Sequence, residues 1–322
     1  MNYAFTNGKI LDGSRDMQVQ TGRCILVKNG KIHDIVSDTT DLSGYTKIDL
    51  KGHYILPGLI NMHVHLAGSG KPQKKQRDNE KLVNTIMSTS LTRAIAYRMV
   101  ADFAKDELLS GVATIRTVGG LGDFDTRLRD EIKAGSKIGP RILASNQGIS
   151  VPGELKMPPE MVRAVCEKAH ADGYLVAAHV ESPEGVRVAL ENGVDSIEHG
   201  AKLTDEMVKL FKERGAFLCT TISPALPYAL FDRSITNATE VEQYNGNVVF
   251  EGIIACAKAA LANDIPVVLG NDVGCPLDHP VRFLARALLL PQICGRLQRF
   301  RPLHRHQTER RTDRYRFHHR FH

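Results

Sequence analysis

The chain has 322 residues, 42% hydrophobic and 24% charged, enough for one large α/β domain with a small companion. It has no apolar run of about 18 residues, so no membrane-spanning helix is expected. The start, MNYAFTNGKILDG, lacks the basic region and apolar core of a secretory leader. The net charge of +6 suggests a partner that is nucleic acid or a membrane surface, but it is unevenly spread. From Leu277 onward there are 11 arginines, no lysine and three acidic residues, a net of +8, which leaves residues 1–276 at −2. The six cysteines are scattered without a CxxC pair, as expected of buried thiols in the cytoplasm.

Residues 1–55 alternate short strands and turns in YAFTNGKILDG, RCILVKNGKIHDIV and TKIDLKGHYIL. Asn7-Gly8 and Asn29-Gly30 predict hairpin turns, because both residues tolerate the positive φ such turns need. This stretch reads as a small β domain, the N-terminal half of a composite β-sandwich.

From residue 56 the pattern becomes strand alternating with helix. ILPGLINMHVHL is the first strand, and a single long helix is expected over about 80–109, with Leu82, Ile86, Leu91, Ile95, Met99 and Phe103 at helical spacing and Gly111 closing it. Strand VATIRTVGG, helix DTRLRDEIKAG and strand RILASNQGIS follow. Helix PPEMVRAVCEKAHADG then opens on proline and closes on glycine. Strand YLVAAHV, helix PEGVRVALENG, strand SIEHG, helix TDEMVKLFKERG and strand AFLCTTISP come next. An irregular loop leads to helix VVFEGIIACAKAALAND and strand IPVVLGNDVG. Repeated βα units of this kind predict a parallel TIM-type barrel over residues 56–276, with its site at the C-terminal strand ends.

His63 and His65 end the first of these strands. Two residues apart on a strand, they point to one face, which is how a barrel presents two imidazoles to a divalent metal. His179, His199 and Asp272 each end a later strand. Imidazole and carboxylate without neighbouring thiols suit Zn(II), with Mn(II), Fe(II) or Co(II) as alternatives. Such a site supplies hydroxide near neutral pH, and a carboxylate beside it can carry the proton. His33, His53 and His170 are expected at the surface, and Lys71 to Arg77 as a solvated loop.

The segments LPGLINMHVHL, GVATIRTVGG, GPRILAS, VAAHVESPEGVRVALENGVDSIEHG and VVLGNDVGCP resemble the metal-dependent amidohydrolase superfamily, in its branch of Xaa-Pro dipeptidase-like and imidazolonepropionase-related enzymes. The resemblance implies an eight-stranded barrel and a metal site made of His63, His65, His179, His199 and Asp272. It implies that Asp272 also carries the proton, that His199 helps stabilise the oxyanion, and that Tyr228 polarises the carbonyl unless it is simply a loop tyrosine. Glu181 and Glu184 lie two and five residues after His179, whereas related deaminases place a glutamate three after. This argues for amide hydrolysis.

The chain departs from that pattern in two large ways. Between Ser150 and Met161 roughly one βα unit is missing, including the strand that carries a carboxylated lysine bridging two metals. Lys156 precedes a helix and is not assigned that role. Residues 277–322 form an Arg/His-rich tail without periodicity, expected to be disordered. Codons allowed for Leu277 to Ala287, read one base out of frame, give WITQYDFWRE, which looks like the family's own continuation. A one-base insertion after Pro276 explains the tail, and the coding DNA tests it. Thr117 and Asn271 are smaller departures, standing where the family often has Asp and Thr.

The sequence therefore predicts a metal-dependent hydrolase of amide C–N bonds, acting on a dipeptide or N-acyl amino acid through metal-activated water. The alternatives are a cyclic amide (imidazolone-like) hydrolase and a catalytically defective remnant of such an enzyme. Two metals are implied by the family, with one or none for a chain lacking the bridging lysine. The expected partner is a small-molecule substrate, not nucleic acid or membrane, and self-association is left open.

Overall fold

A computed structural model of the chain describes residues 1–14, 17–68, 79–149 and 157–273. Lys71 to Arg77, Lys156 and the tail from Leu277 lie outside them. The chain divides into two compact units at Gly58 and Leu59.

The first unit contains strands β1 (Asn2–Thr6), β2 (Lys9–Ile10), β3 (Arg23–Lys28), β4 (Lys31–Ser37), β5 (Thr46–Asp49) and β6 (Tyr54–Ile55). They form a four-stranded sheet in the order β4-β3-β1-β5 and a β2-β6 pair. Ala4, Cys24, Leu26 and Leu42 make the core. The two Asn-Gly pairs behave differently. Asn29 and Gly30, at φ 50° and 74°, turn β3 back onto β4 as a hairpin. Asn7-Gly8 does not: β1 pairs with β3 and β5, and β2 pairs with β6. Asn7 instead donates to the Asp49 carboxylate, and the chain at Gly8 passes so close to Leu50 that a Cβ there would lie 2.5 Å from its Cδ1.

The second unit contains strands β7 (Leu59–Val64), β8 (Val112–Thr117), β9 (Arg141–Leu143), β10 (Ala177–Val180), β11 (Ser196–His199), β12 (Phe217–Thr220) and β13 (Val267–Leu269). All the pairings between them are parallel, in two sheets ordered β7-β8-β9 and β10-β11-β12-β13. A parallel bridge between Val64 and Val273 joins the first strand to the segment after the last. The His65 amide donates to Val273 O (3.0 Å), and the Asp272 amide donates to His63 O (2.9 Å). Among the described residues nothing pairs β9 with β10, so the array does not close. This gap falls in the stretch containing residues 150–156, outside the described residues, where the sequence analysis expects one βα unit to be missing.

The helices are α1 (Asn79–Met87), α2 (Ser90–Leu109), α3 (Phe124–Lys133), α4 (Pro159–Ala171), α5 (Pro183–Glu191), α6 (Asp205–Arg214), α7 (Leu226–Leu230), α8 (Arg233–Thr236) and α9 (Glu240–Ala262). Local chemistry sets their ends. Ser182 and Thr204 cap α5 and α6, Gly215 closes α6 in the left-handed conformation, and Thr239 with Glu242 forms a capping box on α9. The single long helix expected over 80–109 is two, because Thr89 adopts an extended backbone and caps α2 through the Thr92 amide. On α2 the large apolar residues Leu91, Ile95 and Met99 face outward, and the buried side carries Ala96, Val100, Ala101 and Ala104. Small side chains let the helix approach the strands. The expected irregular loop before α9 contains α7 and α8, and α9 begins eight residues earlier than VVFEG suggests.

Two apolar clusters support the strand array. One packs β10–β13 against α4, α5, α6 and α9 through Val186, Leu190, Ile197, Phe211, Leu218 and Cys256. The other packs β7–β9 against α2 and α3 through Val64, Val100, Ile115, Leu128 and Ile142. Cys24, Cys166, Cys219 and Cys256 are unpaired and buried. His33, His53 and His170 are exposed, as the sequence predicts.

Candidate metal centre

Strand ends of the second unit bring the sequence-predicted histidines and aspartate together. The rings of His65, His63, His199 and His179 form a row, with successive centroids 5.2, 4.8 and 4.4 Å apart. Asp272 closes on it: its Oδ1 lies 3.4 Å from His63 Nε2 and 3.2 Å from His65 Nε2, and its Oδ2 lies 4.0 Å from His199 Nδ1.

The far nitrogen of each β7 imidazole is already occupied. His63 Nδ1 donates to Glu198 Oε2 (2.7 Å), and His65 Nδ1 donates to Gly119 O (3.0 Å). A carboxylate or carbonyl acceptor at Nδ1 fixes the tautomer and turns the Nε2 lone pair outward, the usual arrangement behind a metal-binding histidine. His63 Nε2 and Asp272 Oδ1 are buried and have no hydrogen-bond partner. Two such atoms facing one another, with His65 Nε2 beside them, are what a divalent cation requires. Donor atoms of His63, His199 and Asp272 also all lie within 4.8 Å of one another. The residues present therefore fit a metal.

His179 and His199 are engaged differently. His179 Nδ1 lies 2.7 Å from His199 Nε2, and His199 Nδ1 bonds Thr221 Oγ1. The His179 side chain is 70% exposed, with Glu181 4.0 Å away. Tyr228 sits on α7, its ring against α9, where a Cβ at Gly246 would lie 2.5 Å from Tyr228 Cγ.

Electrostatics separate the groups. Burial disfavours charge on His63, but the neighbouring Asp272, Cys219 and Glu198 side chains outweigh it and hold its pKa well above the ordinary value. Burial, with His63 and His179 nearby, lowers His199 to about 3 and keeps it neutral. Burial alone would raise Asp272, yet the adjacent His63, His65 and His199 imidazoles hold its carboxyl well below the usual range. Glu198 is likewise held low: the Arg116 guanidinium and His63 overcome its burial.

Sequence reasoning missed Glu198 and Arg116. Arg116 is fully buried. Its Nε donates to Met62 O (2.6 Å), one terminal nitrogen to Ser196 Oγ (3.3 Å) and the other to Glu198 Oε1 (2.6 Å). The available signal is a charged residue inside each of two otherwise uncharged strands, VATIRT and SIEH. Of the two smaller departures, Thr117 is accommodated by β9: its Oγ1 accepts from the Ser145 amide at 3.1 Å.

Backbone geometry also marks the site. His199 and Asp272 have φ of 67° and 52°, in the left-handed region, which costs of order 1–3 kcal/mol for a non-glycine residue and persists only where surrounding structure enforces it. Gly270 allows the approach of β13 to β7, since a Cβ there would lie 2.3 Å from His63 Cβ and 3.0 Å from His63 N.

Two outcomes follow. Gly270→Ala should lower stability by about 1–3 kcal/mol, as overpacking does, and weaken metal binding; thermal denaturation and metal titration measure both. His63 holds its proton more firmly than a free imidazole, and a metal must displace it. Metal affinity should therefore rise with pH across neutrality, with protons released on binding. Calorimetric titration in buffers of different ionisation enthalpy measures this; an affinity independent of pH would contradict it.

A Xaa-Pro dipeptidase structure with bound methionine in its active site aligns with TM-score 0.74 and 22% identity, over 91% of this chain and 84% of that one. A Bifidobacterium longum protein provisionally assigned as a prolidase aligns with TM-score 0.77 and 27% identity, over 91% of this chain and 79% of that one. Imidazolonepropionase from Klebsiella pneumoniae is 30% identical over 169 residues, 47% of this chain and 39% of that protein. The chain spans 66% or less of the length of such curated relatives. The model described as "Amidohydrolase family" matches residues 54–305, running past Pro276, and the chain belongs to that family.

Proposed function

We propose that the chain holds a divalent metal, Zn(II) in our reading, on His63, His65 and Asp272 and hydrolyses an amide C–N bond in a dipeptide or N-acyl amino acid. The observation that carries this is the convergence of two outward imidazole nitrogens on a buried, unpartnered carboxylate oxygen. A bound metal supplies a Lewis acid and water of lowered pKa. Asp272 Oδ2, turned away from the His63 and His65 nitrogens, takes the proton of the attacking water and passes it to the leaving nitrogen as the C–O bond forms and the C–N bond breaks. His199, neutral and buried, has its ring nitrogens engaged by His179 and Thr221 and must release one of them to help stabilise the developing oxyanion. Tyr228 is the candidate for polarising the carbonyl.

We assign one metal rather than two. The His179 and His199 nitrogens that face each other are spent on one another, and His179 lies on β10 at the open end of the array. A linear substrate is our reading, supported by the 27%-identical structural neighbour provisionally assigned as a prolidase. Cyclic amide hydrolysis is the second reading, supported by relatives named imidazolonepropionase and dihydroorotase. The unpaired buried cysteines agree with a cytoplasmic location, and no helix among the described residues is long and apolar enough to cross a membrane.

Metal content by mass spectrometry should give one ion per chain. Dipeptides should be hydrolysed in the presence of Zn(II), Mn(II) or Co(II), and Asp272→Asn should lower kcat by about 10²–10⁴-fold, the scale of a lost acid–base group. Turnover of cyclic amides alone would favour the second reading. A metal-loaded chain that turns over neither class would be the defective remnant.

A further inference from the structure

Three buried polar residues beside the centre have no part in the chemistry above: Asn61, Glu107 and Asn271. Asn61 lies two residues before His63 on β7, Asn271 immediately precedes Asp272, and Glu107 sits in the last turn of α2. They are joined to one another. Asn61 Nδ2 donates to Asn271 Oδ1 (2.7 Å) and to Glu107 Oε2 (3.3 Å). Asn61 Oδ1 accepts from the backbone amides of Asn271 (3.1 Å) and His63 (3.4 Å). Asn271 Oδ1 accepts from the Val273 amide (3.1 Å).

These bonds stand where regular pairing fails. Strand β13 ends at Leu269, Gly270 passes tight against His63, and Asp272 has positive φ. Of the three residues Asn271–Val273, the first and last have their amides satisfied by asparagine side chains rather than by a strand ladder. The asparagines in turn need an acceptor behind them. Asn61 donates to Glu107 Oε2, while Glu107 Oε1 and Asn271 Nδ2 are both buried without a hydrogen-bond partner. Burial leaves the Glu107 carboxyl raised to about 7 even though the amides of Asn61 and Asn271 act to lower it. A carboxylate can accept on both oxygens, whereas a glutamine in its place has one accepting oxygen and an NH2 group that can only donate.

We propose that Glu107 is a positioning residue: through Asn61 and Asn271 it locks Asn271–Val273 onto β7 and so holds the Asp272 carboxylate against His63 and His65. Its effect on metal binding rests on the reading of those three residues as ligands; the locking itself does not.

The test uses the full chain without metal. Hydrogen–deuterium exchange is followed for the amides of Asn271–Val273 in wild type, Glu107→Gln and Glu107→Leu. Glu107→Leu should accelerate exchange there by about tenfold or more, with Glu107→Gln intermediate and segments α4 to α6 unchanged. Should Glu107→Leu fail to fold, Glu107→Gln decides alone. Unchanged exchange in a folded variant overturns the proposal. Co(II) titration is the second arm: both variants should bind about tenfold or more weakly, with shifted visible bands. Faster exchange with unchanged Co(II) affinity would overturn the claim that locking serves the ligands. A wild type that binds no Co(II) would refute the metal assignment, while the exchange arm still decides the locking.

Discussion

A guanidinium with no solvent exposure sets the terms for the whole centre. Arg116 reaches from β8 to Met62 on β7 and to Ser196 and Glu198 on β11. Without it, Glu198 would be an uncompensated buried carboxylate, and removing one partner of such a pair typically costs about 3–5 kcal/mol. With it, Glu198 stays ionised and its second oxygen is free to accept the His63 Nδ1 proton. That proton decides which nitrogen His63 turns to the cluster. The orientation of a β7 ligand is thus fixed by an ion pair between two other strands, and the same guanidinium holds the Met62 carbonyl beside it.

The centre concentrates several costs in a small volume: buried charge, two residues with positive φ, and facing atoms without hydrogen-bond partners. Each is tolerable because a neighbour constrains it. Asp272 keeps its strained backbone through its own amide bond to His63 O and the asparagine bonds on either side. Strain held this way is pre-organisation, since the carboxylate need not search for its geometry when a cation arrives.

Much of this was legible in the sequence, and what was not has a common cause. HxH after Pro57-Gly58 announced itself because strand periodicity puts both rings on one side, and His179, His199 and Asp272 could be placed because strand ends can be read locally. Glu198 and Arg116 sit in short strands where a charge looks like an error, and their pairing spans 82 residues. Glu107 reads as one more acidic residue in a helix full of charges; only the fold shows that its side is the buried one. The same limit explains the misjudged α2. Its large apolar residues have perfect helical spacing, but periodicity finds a face without saying which face packs, and close helix–strand approach selected the alanines. Asn7-Gly8 failed similarly, because a turn dipeptide specifies local φ and not which strand comes next.

The gap between β9 and β10 bears unequally on the four imidazoles. His63 lies on β7, paired with β8 on one side, and His65 follows just past its end, where Val64 is bridged to Val273 and the His65 amide bonds Val273 O. His199 is on β11, paired on both sides. His179 is on β10, which among the described residues has a partner on only one flank, and its side chain is the most exposed of the row. The His63–His65–Asp272 cluster therefore lies away from the open edge of β10, with Arg116 and Glu198 behind it.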